Sequence, residues 1–348
     1  MPIKLGIVGT NFISDRLWHA VQYVPEVEVC AVYSRHQETG DAFAAKYGIT
    51  QVYTDYELFL ESDLDAVYIA TPTYAHCPQT LKALEHGKHV LCEKIMAVNA
   101  NEAEQMIECA KKNQVILLEA MRPAFDPAYQ LIMENLPKIG KLRRVTLEYC
   151  QYSSRYDKFR QGEILNAFRP ELANGAIMDI GVYPIYMLVQ LFGMPKDIKS
   201  FSTKLENGFE GDGIVLMQYE EMVAEAVYSK VTESVNPSVF LGEDGAIVLD
   251  HVGVPEKIEI RYRDGRTEEI PYQTTAERED GRGDNMQFEV AGFACLIREK
   301  NVEHPYLQHT LHTLQIADEA RKQRSAANAR LSKPAYRSPT SRRRAPPS

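Results

Sequence analysis

Between residues 3 and 120, short continuous apolar runs alternate with helical stretches, and this alternation constrains the fold more than any other feature of the chain. Ile3–Val8, Val27–Tyr33, 65–70, 89–92 and 115–119 each carry apolar residues at successive positions rather than at every second one. A strand apolar on both faces has no solvent side, so such strands belong to a parallel sheet covered by helices on both faces. The segments between them read as helices. The stretch 12–24 stops at Pro25, Gln37–Tyr47 is closed by Gly48, and Thr54-x-x-Glu57 and Asn99-x-x-Glu102 are capping boxes. Residues 1–120 are therefore predicted to form a doubly wound, Rossmann-type α/β domain.

Beyond residue 120 the rhythm changes. Asp126-Pro127 opens a helix, 143–152 is a long strand and 175–192 is an apolar helix. Strand-like segments then follow one another around 198–204, 213–219, 223–231, 239–241, 246–249, 258–262 and 267–270 without helices between them. This pattern predicts an α+β domain over 121–324 with an open, mostly antiparallel sheet, closed by helices near 285–298 and 304–323. Residues 325–348, rich in Pro, Ser and Arg, read as a disordered basic tail.

Charge and cysteine usage narrow the function. The 348 residues carry a net charge of −9, and the first 320 hold 30 basic against 48 acidic groups. A body that acidic is a poor polyanion binder, which argues against nucleic acid as a partner. The window 176–194 is the most membrane-like, but Asp179, Pro184 and Gln190 interrupt it, so a buried helix is expected and no membrane association. The apolar stretch after Met1 covers only 5–8, too short for a secretory signal. Cys30, Cys77, Cys92, Cys109, Cys150 and Cys295 form no C-x-x-C pair or metal-finger spacing. They read as free thiols in a reducing, cytoplasmic compartment, and no metal site is expected.

The chemistry is expected at the carboxyl ends of the parallel strands, where open α/β sheets bind ligands. The first strand runs into Gly9, Thr10, Asn11, Phe12, Ile13 and Ser14, a turn that presents backbone amides and a helix N-terminus to a pyrophosphate. Read as G-x-G-x-x-G/A, it places Asn11 at the second glycine and Ser14 at the third. The second strand ends in Ser34-Arg35 with no carboxylate for a ribose 2′-hydroxyl; a guanidinium there suits a 2′-phosphate, so NADP(H) is expected over NAD(H), which remains possible. The fourth and fifth strands lead to Thr71-Pro72 with His76, and to Glu93-Lys94, at the same edge. A lysine there is either a surface charge or, partly desolvated beside a cofactor, an acid or a ligand for a substrate hydroxyl.

These motifs, with Asp179-Ile-Gly-Val-Tyr183, together resemble the Gfo/Idh/MocA oxidoreductases over about residues 3–323. The resemblance implies an N-terminal Rossmann domain and a C-terminal domain whose open sheet often forms an oligomer interface. It also implies hydride transfer between NAD(P) and an alcohol of a sugar or polyol. Asp179-x-x-x-Tyr183 is similar to the branch of glucose–fructose oxidoreductase and dimeric dihydrodiol dehydrogenase, whereas inositol dehydrogenase-like members carry His at position 183. By this resemblance Lys94 matches the lysine of a Glu-Lys-Pro motif. Three positions depart from the pattern: Asn11 stands for glycine, Thr73 for asparagine and Ile95 for proline.

Oxidising an alcohol requires removal of the hydroxyl proton as hydride leaves. A tyrosine with a lysine charge beside it can take that proton, which makes Tyr183 and Lys94 the expected acid–base pair. Asp179, four residues before Tyr183, shares its helix face and either orients Lys94 or binds a substrate hydroxyl. Arg122, Asn166 and Arg169 are candidates for the substrate pocket. The expected activity is NADP-dependent oxidation of a CH–OH group of a sugar, polyol or dihydrodiol by a homo-oligomer, most simply a dimer. The alternatives are a noncatalytic NADP-binding sensor or scaffold and an NAD-linked inositol-type dehydrogenase.

Overall fold

The computed structural model describes residues 1–272, 276–277 and 283–331. The first domain follows the predicted alternation. Strands β1 (Ile3–Val8), β2 (Val27–Tyr33), β3 (Gln51–Tyr53), β4 (Ala66–Ile69), β5 (His89–Glu93) and β6 (Leu117–Ala120) form one sheet in the order 3-2-1-4-5-6. Every pairing in it is parallel. Helices α1 (Phe12–Val21), α2 (Gln37–Tyr47), α3 (Tyr56–Glu61), α4 (His76–Glu85) and α5 (Ala100–Asn113) join the strands. The expected Asn99 cap and the Gly48 stop are present, but α3 is capped by Asp55 rather than by Thr54 of the expected capping box, because it is the Asp55 carboxylate that reaches the first-turn amides. Asp55 accepts from the Glu57 and Leu58 amides, Asn99 from Glu102, and Gly48 ends α2 in the left-handed region.

The second sheet has eight strands: β7 (Leu142–Cys150), β8 (Asp197–Lys204), β9 (Glu210–Gln218), β10 (Val223–Ser229), β11 (Ser238–Gly242), β12 (Gly245–Leu249), β13 (Ile258–Tyr262) and β14 (Thr267–Ile270). Their order is 14-13-12-11-7-10-9-8, antiparallel except that β10 runs parallel to β7. A helix α6 (Pro127–Asn135), capped by Asp126, precedes it, and a short α7 (Tyr156–Arg160) follows β7.

The apolar segment near 175–192 enters through a π-helical turn at Ile177–Gly181 and continues as α8 (Val182–Phe192). It is apolar and long enough to cross a membrane, yet 78% of its most apolar window is buried inside the protein. It is a core helix, crossing β10 so closely that a Cβ on Gly181 would lie 2.8 Å from the Tyr228 ring. The junction of the π-helical turn with α8, Asp179 to Tyr183, meets Lys94 at the end of the first sheet.

Two findings revise the sequence reading of the C-terminal region. Helix α9 (Met286–Glu299) joins the core of the first sheet through Met286, Val290 and Phe293, and α10 (Tyr306–Leu331) packs on α5, α8 and β8. The chain thus returns to the first domain after building the second sheet. The disordered tail expected from residue 325 begins instead as helix, because α10 continues to Leu331; the remainder of that expectation, 332–348, lies outside the described residues.

Candidate active site

The β1–α1 turn is shaped by two residues. Gly9 adopts φ +104, and a Cβ there would approach the Ala70 carbonyl oxygen to 3.0 Å, so only glycine lets the turn lie against the end of β4. Asn11, where the glycine pattern has its second glycine, takes an extended conformation with φ −94 rather than a left-handed one. Its side chain caps α1 by accepting from the Ile13 amide at 2.9 Å, and donates to the Ala70 carbonyl at 2.6 Å. The amide is therefore folded against the turn and tied to β4. Ser14, fully buried, donates to the Gly9 carbonyl at 2.8 Å, the close helix packing expected of a small residue at this position.

A cavity of about 540 Å³ extends from this turn across the strand ends, lined by Asn11, Phe12 and Ile13 at one end and by Glu93 and Lys94 at the other. Arg35, Thr71, Pro72 and His76 also line it, as do Asn166 and Arg169 from the second domain. Ser34 does not. Its hydroxyl is buried and bonded to Thr39 Oγ1 at 2.6 Å, which leaves Arg35, exposed, as the group available to a 2′-phosphate. His76 is buried, with Nε2 at 2.7 Å from the Thr71 carbonyl and Nδ1 at 3.0 Å from the Ile95 carbonyl. It ties the β4 end to the segment after β5. Burial pushes its pKa down. The positive-φ glycine against β4, the helix start, the exposed guanidinium and a cavity lined from the β1–α1 turn to the β5 end together fit a dinucleotide.

At the inner end, Lys94 lies at the centre of a charge cluster. Its ammonium donates to Asp179 Oδ1 at 3.0 Å and to the Asp179 carbonyl at 2.7 Å, and stands 5.0 Å from the centroid of the Tyr183 ring. The structure thus brings together all three residues expected to be catalytic. Burial would lower the Lys94 pKa, but Tyr183 and Asp179 outweigh it and hold the ammonium above the ordinary lysine range. Burial would likewise raise Asp179, and the two ammoniums beside it, Lys94 and Lys230, hold the carboxyl well below the usual range. Lys94 is linked to Ile95 by a cis peptide bond. Beyond it the Met96 amide donates to Glu119 Oε1 at 2.8 Å, and Thr310 donates to the other oxygen at 2.7 Å.

Arg122 was expected in the substrate pocket, and the structure places it behind the cluster instead. Its guanidinium lies 3.4 Å from Asn285 Oδ1 and 3.8 Å from Asp284, with its charge near Tyr183. Tyr183 itself is only 4% exposed, with Lys94 over its ring and Tyr149 packed at 5.3 Å. Glu93 accepts from the Tyr68 hydroxyl and from the Lys94 amide, while burial raises its pKa. Sequence reasoning missed Lys230, which follows β10 and pairs with the second oxygen of Asp179. It also missed Glu119 and Arg155. No local pattern marks Lys230 or Glu119, because their partners Asp179 and Thr310 come from distant segments, and Arg155 is marked only by the cavities it lines.

Residues 3–121 match the model of an oxidoreductase family with an NAD-binding Rossmann fold, and residues 132–248 match the Gfo/Idh/MocA C-terminal domain. The chain belongs to the Gfo/Idh/MocA oxidoreductase family. It is 44% identical to the scyllo-inositol 2-dehydrogenase (NADP(+)) IolU of Bacillus subtilis (strain 168), over 92% of this chain and 97% of that one. It is 29% identical to the trans-1,2-dihydrobenzene-1,2-diol dehydrogenase of Mus musculus, over 78% and 80% of the two chains. The fold is shared with a 3-ketoreductase from Actinomadura kijaniata solved with NADP and TDP-benzene. That match has a TM-score of 0.79 at 22% identity and covers 93% of this chain and 98% of that one. Gfo/Idh/MocA membership accounts for the glycine turn, Thr71-Pro72 and Glu93-Lys94 lining one cavity.

Proposed function

We propose that this protein is an NADP-dependent dehydrogenase of a secondary alcohol on a cyclic polyol, sugar or dihydrodiol, with Lys94 and Tyr183 as its proton-transfer pair. The observation that carries the reading is the Lys94 ammonium, bonded to Asp179 and lying over the Tyr183 ring at the inner end of the dinucleotide-sized cavity. The relatives named above act on an inositol and on a dihydrodiol, which supports the substrate class. The α1 N-terminus and the Gly9 turn would hold the pyrophosphate, and Arg35 the 2′-phosphate. When bound, NADP+ supplies the hydride acceptor.

The chain's own groups handle the proton. Lys94, kept charged, hydrogen-bonds the substrate oxygen and stabilises the negative charge that develops as the O–H bond breaks. Tyr183 takes that proton, with the Arg122 and Lys94 charges beside it. Asp179 fixes the direction of the Lys94 ammonium. Asn166 and Arg169, which line the cavity from the second domain, would meet the substrate's remaining polar groups.

Oxidation of scyllo-inositol, other polyols, sugars and dihydrodiols, followed by NADPH absorbance, tests the reading. Positioned acid–base groups contribute about 10²–10⁴-fold in rate, so Lys94→Ala and Tyr183→Phe should each lower kcat by that range with NADPH affinity little changed. Wild-type turnover in both variants, with intact circular dichroism, overturns the pair. The same reading places the protein in the cytoplasm, as its six cysteines are all free. It also makes the protein a homodimer through the outer face of the eight-stranded sheet, where Phe201, Val223 and Leu241 are exposed.

A further inference from the structure

Asp179 is a single carboxylate between two lysines from different sheets. Lys94 reaches it from the end of β5 and takes Oδ1; Lys230 reaches it from the end of β10 and takes Oδ2. Lys230 is not a loosely held surface charge. Its side chain is 6% exposed, its amide donates to the Gly211 carbonyl at 2.8 Å and its carbonyl accepts from Ser153 at 3.0 Å. Its ammonium also lies 5.4 Å from the centroid of the Phe168 ring. A lysine buried this deeply and held on three sides loses side-chain freedom that only a specific interaction offsets.

The arithmetic of charge gives that interaction its consequence. Paired with Asp179 alone, Lys94 would be neutralised, and a neutral pair offers little field to a forming alkoxide. With Lys230 on the second oxygen, the three groups carry a net charge of +1. Both Lys94 and Lys230 line a cavity of about 130 Å³ that shares Thr73, Lys94 and Asn174 with the larger dinucleotide-sized one. Among the described residues Arg155 adds a further cation to both walls, and Glu93, the carboxyl next to Lys94, accepts from Tyr68 and is pushed by burial toward its neutral form.

We propose that Lys230 is a positioning residue of this site: it holds Asp179 by its second oxygen, so that the carboxylate directs Lys94 without cancelling its charge, and the cluster presents net positive charge to the nicotinamide end of the cavity. The inference rests on the function proposed above. In the reaction, the C–H bond breaks with its electron pair passing to the nicotinamide, and the O–H proton passes to the protein. The nicotinamide is cationic before that step and neutral after it. A fixed positive charge opposes the cationic form and favours the neutral one, so the cluster favours hydride transfer out of the alcohol as well as the developing alkoxide.

Calorimetric titration of the full chain with NADP+ and, separately, NADPH tests this without turnover. Lys230→Met removes the charge and should raise NADP+ affinity relative to NADPH by about fivefold, the size of a unit-charge effect across several ångströms in a partly screened site. Lys230→Arg keeps the charge and should keep the wild-type ratio. Lys230→Gln, shorter and polar, should behave as the Met variant and serves if that one folds poorly. In parallel, kcat for scyllo-inositol oxidation should fall about 10–100-fold in the neutral variants, with KM for NADP+ not raised and the rate largely restored in Lys230→Arg. An unchanged NADP+/NADPH affinity ratio in the folded neutral variants overturns the role. A shifted ratio alongside wild-type turnover in Lys94→Ala keeps the role and removes the acid–base pair instead.

Discussion

Replacing Arg35 with Asp should reverse the electrostatics of cofactor choice without disturbing the fold. Arg35 follows β2 on an exposed turn, lines the large cavity, and has no ion-pair partner among the described residues, so its loss leaves no buried charge behind. Its neighbour cannot compensate, because the Ser34 hydroxyl is buried, bonded to Thr39 and not part of the cavity lining. A phosphate monoester carries close to two negative charges, and a guanidinium contact to it is charge-assisted and bidentate when geometry allows. Such a contact contributes about 1.5–3 kcal/mol where solvent screens it only partly. Exposure here puts the loss for Arg35→Ala near the lower figure, about tenfold in NADP+ affinity, and charge reversal in Arg35→Asp extends it toward about a hundredfold. NAD+ has no 2′-phosphate, so its affinity should stay within a few fold or improve, as the new carboxylate can accept from the ribose 2′-hydroxyl. Calorimetric titration of wild type and both variants with NADP+ and NAD+, at two salt concentrations, reads the effect directly. Equal or tighter NAD+ binding by the wild type, or an unchanged NADP+ affinity in Arg35→Asp, would refute the assignment.

The remaining expectations follow from the same geometry. Combining Lys94→Ala with Tyr183→Phe should cost less than the product of the single losses in kcat, because groups that act as a unit are not additive. Glu119 is buried, which pushes its carboxyl up to about 7, so between about 4.5 and 7 the folded protein holds a proton that the unfolded chain has released. Stability from this group therefore falls as pH rises through that window, by at most about 3 kcal/mol, and urea unfolding of Glu119→Gln against wild type should show the variant gaining between pH 5 and 8. Static light scattering at micromolar concentration should return twice the 39.5 kDa chain mass; the single-chain mass would exclude the proposed dimer.

What could be read from the sequence and what could not divide along a physical line. The first sheet was legible because strands apolar on both faces allow one architecture, and that architecture fixes where strand ends go. Gly9, Arg35, Thr71 and Lys94 could be placed on one edge from the strand ends, and the cavity is lined by Arg35, Thr71 and Lys94 together with Asn11 to Ile13 of the glycine turn. Asp179 and Tyr183 were legible through the family resemblance, and their four-residue spacing put both on one helix face; across the π-helical turn Lys94 contacts both. Ser34 was misplaced because its partner, Thr39, lies across a turn whose side-chain directions no periodic pattern sets. Arg122 was misplaced because the groups that draw it behind Tyr183, Asp284 and Asn285, come from a segment about 160 residues away.

Lys230 shows why the illegible part matters most for chemistry. Its neighbours in sequence mark it only as the residue after an antiparallel strand. Its role is set by β10 lying parallel to β7 and ending beside the π-helical turn, so that its ammonium meets a carboxylate already bonded to a lysine of the other sheet. The three charges are drawn from the β5 end, the α8 approach and the β10 end. None of the three elements alone brings opposite charges within reach, so the cluster exists only when the two sheets are docked. The charge that stabilises the alkoxide is therefore coupled to the packing of the two domains. A substitution that loosened α8 against β10, such as a Cβ added at Gly181 against Tyr228, would act on the site through that packing without touching a charged group.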